Sequence, residues 1–261
     1  MIPLKDYNPT RTRAWVTLVL IVVCVGVYFL VQPPSSERLL DQSSNRFSFA
    51  SAAIPDELTT GEPLTVREVA ATDALAATSC EGVRSDIVGN RVQLQGDVSA
   101  PCFPHKNVYL AVLVSMFLHG SIGHLAFNML FLWIFGNNIE DRFGHVLHLA
   151  FYLAAGAAAT LYFVATSPHS TIPLIGASGA IAGVMGAYLV LYPRARILGL
   201  LGFFPIPLPA WLFLGFWFFS QFLGRDGGVA YAAHIGGFVF GLLIGFVARS
   251  RSRASHTYVA A

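Results

Sequence analysis

Long apolar runs separated by short polar segments dominate the pattern of the chain. Six such runs occur, at about residues 14–31, 108–135, 146–166, 175–192, 208–223 and 229–248. Because the hydrocarbon core of a bilayer is about 30 Å thick, a helical span needs about 20 apolar residues. The pattern therefore predicts an all-α membrane protein, a bundle of six transmembrane helices. The first run could be a signal peptide, but Val31-Gln32-Pro33-Pro34 offers no small-residue cleavage site, so we favour an anchor.

The composition supports a membrane environment. Of the 261 residues, 55% are hydrophobic and 11% charged, and the mean hydropathy is +0.61. Soluble domains are about a quarter charged, so much of this surface must face something other than water. The net charge of +2 and the lack of a basic stretch with interleaved aromatics give no indication of a nucleic-acid partner.

The distribution of Lys and Arg predicts the orientation of the spans, because cytoplasmic loops are enriched in these residues. One side of the predicted bundle carries Lys5, Arg11, Arg13, Arg142, Arg194, Arg196, Arg249, Arg251 and Arg253, and the short loops on the other side carry only Arg225. We therefore expect both termini to be cytoplasmic.

This topology divides the chain into five regions. We expect a cytoplasmic N-terminus at 1–13, a first transmembrane helix at 14–31, an extracytoplasmic loop at 32–107, five further helices within 108–248 and a cytoplasmic tail at 249–261. The loop is rich in Ser, Thr, Ala and Pro and should be mostly irregular, with some short structure. Its two cysteines, Cys80 and Cys102, could pair in an oxidising compartment.

Polar residues inside membrane spans are costly and tend to be functional. They concentrate around His119, His124 and Asn128 in the second span, Ser178 in the fourth and His234 in the sixth. Ser178 precedes Pro193 by 15 residues, and His234 precedes Arg249 by the same number. At 1.5 Å per residue, both side chains should lie about 22 Å above the cytoplasmic surface.

Glycine spacing predicts that the helices carrying these two residues pack closely. Gly179 and Gly183 form one small-residue face, and Gly237, Gly241 and Gly245 form another. Small residues let helix backbones approach. Ser178 and His234 could then come within hydrogen-bond reach, as a serine nucleophile requires.

His124 and Asn128 are four residues apart, so they share a helix face and could donate hydrogen bonds to an oxyanion. The backbone N–H of Ser178, at a helix N-terminus, is a further donor. None of the six runs contains Asp or Glu, which favours a Ser-His dyad over a triad. No Cys/His metal spacing occurs, and we expect neither a metal nor an organic cofactor.

These residues, in this order and spacing, resemble the rhomboid intramembrane proteases over about residues 108–248. The matching motifs are His124-xxx-Asn128, Gly176-Ala177-Ser178-Gly179 and Ala233-His234-Ile235-Gly236-Gly237-xxx-Gly241. The resemblance implies a six-helix bundle of rhomboid type, a catalytic dyad of Ser178 and His234, and an oxyanion hole that includes His124 and Asn128. It implies structural roles for His119, Gly176, Gly179, Glu140, Arg142, Gly237 and Gly241. Substrates of the family are typically single-span membrane proteins with a locally weak helix.

Two features depart from the family pattern. Many members carry Tyr or Phe four residues after the nucleophile, stacked on the histidine, whereas this chain has Ala182. Something else must therefore orient His234. The polar loop before the second span is also long, at roughly 76 residues, and lacks the Trp-Arg pair of the family.

Alternative interpretations remain for the motifs and for the whole chain. The serine could be a small residue that supports close packing between helices, and the histidines and Asn128 could be structural hydrogen-bonding residues. A non-catalytic rhomboid-like chaperone or adaptor would bind transmembrane helices without cutting them, although such relatives usually lose the serine or the histidine. A small-solute transporter should show repeat symmetry and paired charges. We expect a multi-pass protein of a bacterial plasma membrane, because no transit peptide precedes the first run.

Overall fold

The computed structural model describes residues 2–32, 43–74, 76–88, 91–201, 204–224 and 229–257. Part of the predicted loop (33–42), Arg225 and the end of the predicted tail (258–261) lie outside the described residues. The chain divides into two units. The first comprises Met1–Val23, Ala126–Tyr162 and Ala177–Ala261, and the second comprises Cys24–Leu125 and Phe163–Gly176.

The described elements are mostly helical. In chain order they are β1 Ile2–Asp6, α1 Trp15–Gly26 with a π-helical turn at Val27–Val31, α2 Ser43–Ser51, α3 Pro55–Thr60, α4 Val66–Thr72, a 3-10 turn at Ala76–Ser79, β2 Arg84–Val88, β3 Arg91–Gln95, α5 Leu110–Ser115, α6 Ile122–Phe143, α7 His145–Thr166, α8 Ser178–Leu191, β4 Arg196–Leu201, β5 Phe204–Pro209, α9 Ala210–Ser220 and α10 Tyr231–Thr257.

Each of the six predicted runs is occupied by an apolar helix. Among the described residues, three helices are long and apolar enough to cross a membrane, namely α6, α7 and the Tyr231–Ser250 part of α10. Three shorter apolar helices are Trp15–Val31, Ser178–Leu191 and Ala210–Ser220. The mostly helical membrane fold is therefore confirmed.

The expectation of an all-α chain is wrong in one respect, because the structure contains two small antiparallel sheets. One has the strand order β1-β4-β5, and the other is the β2-β3 hairpin. In β5, Pro205, Pro207 and Pro209 occupy alternate positions. Alternate residues of a strand direct their backbone nitrogens to the same side. The three prolines, which have no N–H to donate, can therefore all face the unpaired side of this edge strand.

The second predicted span is interrupted. Helix α5 ends at Ser115, and α6 begins only at Ile122, where the N–H of His124 donates to Ser121 Oγ at 3.1 Å. A serine at this position is a favourable helix N-cap. His119 therefore lies in the break before α6 rather than within the span.

Helix α6 also continues beyond the second apolar run, which ends at about residue 135. It ends at Phe143, where Gly144 adopts a left-handed φ of 78° and its N–H donates to the carbonyl of Glu140 at 2.7 Å. Glycine favours this helix-terminating conformation because it has no Cβ. Glu140 and Arg142 thus lie in the last turns of the helix, beyond the apolar run.

The described part of the predicted loop is folded around a core, whereas we expected a mostly irregular segment with some short structure. We call residues 43–107 the insert. Cys80 and Cys102 form a disulfide. Around it lies an apolar core that includes Phe49, Ile54, Leu64, Val66, Val69 and Phe103. Buried Glu57 pairs with Lys106 at 2.5 Å. The hydrophobic pattern of the sequence did not indicate this core, because its elements are short and irregularly spaced.

Helices α8 and α10 of the first unit pack backbone against backbone. A side chain on Gly237 would overlap the carbonyl oxygen of Gly179, and one on Gly241 would overlap that of Gly183. We call these four glycines the glycine seam. Ala155 and Ala159 of α7 cover the other side of Gly183 and Gly179. This close approach, which the glycine spacing predicts, fixes α8 beside α10.

The N-terminus of α1 is capped by a residue from α6. Glu140, which is buried, accepts hydrogen bonds from the N–H groups of Val16 at 2.8 Å and Thr17 at 2.7 Å, and from Thr17 Oγ1 at 2.7 Å. Its other contact is His145 Nδ1 at 2.6 Å. A carboxylate satisfies the first N–H groups of a helix and interacts favourably with its dipole.

Candidate active site

The candidate nucleophile is the first residue of α8. Gly176, two residues earlier, has a φ of 124°, a conformation that residues with side chains rarely adopt. The chain then enters the helix at Ser178, and Ile181 is the first residue whose N–H bonds back, to Ala177 O at 3.0 Å. The N–H groups of the first turn lack intrahelical acceptors, so they form a site that favours negative charge.

Ser178 and His234 are hydrogen-bonded. Ser178 Oγ lies 2.8 Å from His234 Nε2, and both residues are half-buried. His234 is the fourth residue of α10, one helical turn after Tyr231. The glycine seam begins one residue after Ser178 and three after His234, so it holds the two helices together directly beside this pair.

The second ring nitrogen of His234 also has a partner. His234 Nδ1 lies 2.8 Å from Oε1 of Gln221, the residue that ends α9. Gln221 is buried, and its Nε2 donates to the carbonyl of Trp217 at 2.8 Å and to Ser220 Oγ at 3.1 Å. A continuous chain of hydrogen bonds therefore runs from the end of α9 to the hydroxyl of Ser178.

Two aromatic rings flank His234. The ring centroid of Trp217 lies 5.9 Å from that of the imidazole, and the centroid of Tyr231 lies 6.4 Å away in an edge-on arrangement. Ala182, where many family members have an aromatic residue, is fully buried. The rings beside the histidine thus come from α9 and α10 instead of α8.

Asn128 and His124 lie one turn apart on α6 but belong to different units. Asn128 is buried in the first unit, and no described residue accepts a hydrogen bond from its Nδ2. A buried amide N–H without an acceptor is costly and needs an explanation. In the second unit, the ring of His124 lies 5.3 Å from that of His119.

Comparison with known proteins identifies the family of the chain. The family model described as "Rhomboid domain" matches residues 106–251, which is more than half of the sequence. The chain belongs to the rhomboid family. It is therefore a membrane-embedded rhomboid, in agreement with its apolar helices.

Similar proteins come from several sources. This rhomboid is 35% identical to "Rhomboid protein 1, mitochondrial" of Saccharomyces cerevisiae, over 52% of its own length and 41% of the relative. It is 37% identical to "Rhomboid protease GluP" of Bacillus subtilis, over 50% and 24%. It is 30% identical to "Presenilin-associated rhomboid-like protein A, mitochondrial" of Danio rerio, over 52% and 37%. The chain thus matches less than half the length of each of these relatives.

The remaining predicted site residues of this rhomboid lie in several different elements. His119 is fully buried, and its backbone N–H and C=O bond to the Gln32 side chain, both at 3.0 Å. Gly179, Gly237 and Gly241 belong to the glycine seam. Arg142 donates to the carbonyl of Ala248 at 3.1 Å.

Gln221 and Trp217 were missed by the sequence reasoning. The sequence contained part of the information needed to find Gln221. It is the one residue with a side-chain amide in the run at 208–223, and polar residues in such runs tend to be functional. Its contact with His234 depends on where α9 ends, which the apolar pattern does not define. The described residues contain no group of three or more His, Cys, Asp or Glu arranged to hold a metal ion.

Proposed function

We propose that this rhomboid is an intramembrane serine endopeptidase that hydrolyses peptide bonds in or near transmembrane segments of membrane proteins. The observation that carries the proposal is the 2.8 Å contact between Ser178 Oγ and His234 Nε2 at the start of α8. A serine hydroxyl is a weak nucleophile until a base at this distance takes its proton.

The proposed reaction is acyl transfer to water. His234 Nε2 takes the proton of Ser178 as Oγ attacks the carbonyl carbon of the scissile bond. The resulting imidazolium gives that proton to the leaving amine, and an acyl-enzyme remains. Water, deprotonated in turn by His234, then hydrolyses the ester and regenerates the serine.

The negative oxygen of the tetrahedral intermediate needs preorganised donors. The N–H of Ser178, in the first turn of α8, is one, and the buried Nδ2 of Asn128 is another, since it lacks an acceptor among the described residues. We assign His124 to the same oxyanion hole from the family motif. The proposed mechanism uses no metal or organic cofactor.

The topology is part of the proposal. We propose six transmembrane helices with both termini cytoplasmic and the insert on the opposite side, where an oxidising compartment would maintain the Cys80–Cys102 disulfide. The substrates would be single-span proteins in the surrounding bilayer, and no nucleic acid is involved. The expected bacterial plasma membrane gains no support from the relatives, since two of the three are mitochondrial by name.

The experiment that tests the proposal is fluorophosphonate labelling and substrate cleavage by the purified protein in detergent. Wild type should label and cleave a model transmembrane substrate, whereas Ser178→Ala and His234→Ala should do neither while keeping their thermal unfolding transition. The control Ser250→Ala removes an exposed hydroxyl at the other end of α10 and should behave as wild type. A well-folded wild type that neither labels nor cleaves would favour the adaptor function.

A further inference from the structure

Two features lie beyond the proposed dyad and are carried by different observations. The first is the contact between Gln221 and His234. We propose that Gln221 is the positioning residue that holds His234 in the tautomer whose Nε2 accepts the serine proton. This proposal rests on the proposed protease function.

The orientation of the Gln221 amide follows from its neighbours. The carbonyl oxygen of Trp217 only accepts hydrogen bonds, so the group 2.8 Å from it must be the amide NH₂. Oε1 therefore faces His234 Nδ1, and it too can only accept. A neutral imidazole carries one N–H, which must then be on Nδ1. Nε2 is left with a lone pair directed at the hydroxyl of Ser178.

The same contact acts during the reaction. When Nε2 takes the serine proton, the positive charge of the imidazolium is shared with Nδ1–H, and its bond to Oε1 becomes charge-assisted. An amide is weaker in this role than a carboxylate. It also avoids the cost of an ionised group in a buried position, because Gln221 is 7% exposed.

Gln221 and Trp217 act from one helix face. They are four residues apart, so they lie on the same side of the end of α9, and both contact His234. This arrangement supplies the orientation that Ala182 cannot. Helix α9 therefore positions the base, whereas α8 provides the nucleophile.

The experiment compares Gln221→Leu, Gln221→Glu and Ser220→Ala with wild type, by kcat and KM for a model substrate across pH. Gln221→Leu should lower kcat about 10- to 100-fold with little change in KM, a part of the effect typical of general-base catalysis. Gln221→Glu should retain activity and move the acid limb of the kcat profile up by about one pH unit, because a carboxylate favours the imidazolium. Ser220→Ala removes one of the two acceptors of the amide and should lower kcat only a few-fold.

Two measurements distinguish a failure of this proposal from misfolding of a variant and from a failure of the proposed protease function. In wild type, the ¹⁵N shifts of His234 should show a protonated Nδ1 and an unprotonated Nε2, and the opposite tautomer would overturn the proposal. A Gln221→Leu variant with wild-type kcat and pH profile would also overturn it, provided that Ser178→Ala is inactive. Failure of wild type to label at Ser178 would instead reject the protease function itself.

The second feature is a basic cavity near the end of α8. It has a volume of about 560 Å³ and is lined by Arg11, Arg142 and Arg249, with Thr12, Asp141 and Tyr192. Asp141 already accepts hydrogen bonds from the N–H groups of Arg11 at 3.0 Å and Thr12 at 2.7 Å and from Thr12 Oγ1 at 2.7 Å. The lining thus contains three arginines and one carboxylate whose acceptor capacity is partly used.

The guanidinium groups keep donors available. Arg142 donates one hydrogen bond to the carbonyl of Ala248 at 3.1 Å, and Arg249 donates one to that of Val190 at 3.2 Å. Each guanidinium has five N–H donors, so these bonds hold the side chains in place without exhausting them. Such a preset cluster suits a phosphate group.

An apolar groove of about 660 Å³ shares Arg142 with this cavity. Its lining includes Phe143, Leu147, Phe151, Phe240 and Val247. A ligand that fits both features has a phosphate joined to a hydrocarbon chain. From the charge of the cavity and from Arg142, which lines both the cavity and the groove, we infer an anionic phospholipid site with the headgroup at the arginines and an acyl chain in the groove.

The test measures thermal unfolding of delipidated protein in neutral detergent with added dioleoyl-phosphatidylglycerol, dioleoyl-phosphatidylcholine or glycerol 3-phosphate. Phosphatidylglycerol should raise Tm by roughly 3–5 °C, and the other two should have little effect. The double variant Arg142→Gln/Arg249→Gln should lose this response, and the control Arg194→Gln, outside the cavity, should keep it. An equal effect of phosphatidylcholine, an equal response of the double variant or full reproduction by glycerol 3-phosphate would overturn the lipid site.

Discussion

Two regions of this rhomboid achieve burial by opposite means. At the glycine seam, the absence of side chains brings α8 and α10 into backbone contact. In the insert, side chains form the contacts, namely a disulfide, an apolar core and the buried pair of Glu57 and Lys106. The difference agrees with the proposed topology, in which the seam lies in the bilayer and the insert outside it. Hydrophobic burial gives little driving force inside a bilayer, so close packing of small residues replaces it there.

The largest expected effect comes from adding bulk to the seam. Gly241→Val would place its side chain on the carbonyl oxygen of Gly183, which is backbone and cannot move aside. We expect that the variant either does not fold or folds with a lower Tm and is not labelled at Ser178. The control is Gly215→Ala on α9, where an added Cβ meets nothing within 4 Å and should be neutral. A Gly241→Val protein with wild-type Tm and labelling would show that the seam is not required.

A smaller effect is expected from breaking the buried ion pair of the insert. Lys106→Met leaves Glu57 without its cation, and breaking a buried pair by removing one partner costs about 3–5 kcal/mol. Thermal unfolding should therefore occur at a lower temperature. The double variant Glu57→Leu/Lys106→Met removes both charges and should recover most of the loss. If the single variant were as stable as wild type, side-chain pairing would not stabilise the insert as proposed.

The smallest effect concerns Asp6, at the end of β1. Burial raises the pKa of this carboxyl to about 6, although hydrogen bonds from Tyr188 and Asn138 lower it in part. Because the folded state binds the proton more tightly, the stabilisation by Asp6 is full below its ordinary pKa near 4 and is lost as pH rises through about 6.

Asp6→Asn should therefore reduce the decrease in Tm between pH 5 and pH 7. The exposed Asp97→Asn serves as the control and should keep the wild-type difference. An unchanged difference in Asp6→Asn would mean that the carboxyl is not desolvated. The first unit would then differ further from the insert, because it would have no buried carboxyl at β1.

The predictable part of the molecule is the part whose signal is local. Apolar runs indicated six helices, and glycine spacing indicated the face on which α8 meets α10. The motif around Ser178 and His234 predicted a pair that the structure places at 2.8 Å. Each of these inferences needs only residues within a few turns of one helix.

The missed features depend on contacts between distant residues. Gln221 reaches His234 only because α9 ends where it does, and β1 finds β4 across about 190 residues. The break before Ile122 rests on the Ser121 cap, which a window of average hydropathy cannot detect. The insert lacks periodicity because a disulfide and an ion pair replace long amphipathic elements.

The cap on α1 has a consequence for chimeric proteins. Glu140 is 1% exposed and takes its donors from residues 16 and 17, more than a hundred positions earlier. An unrelated helix of equal hydropathy would insert as readily and would still offer two backbone N–H groups, yet without threonine at position 17 it would leave this enclosed acid group without its hydroxyl donor. The first helix is thus matched to α6, and its exchange between homologues should succeed best where Thr17 and Glu140 are transferred together.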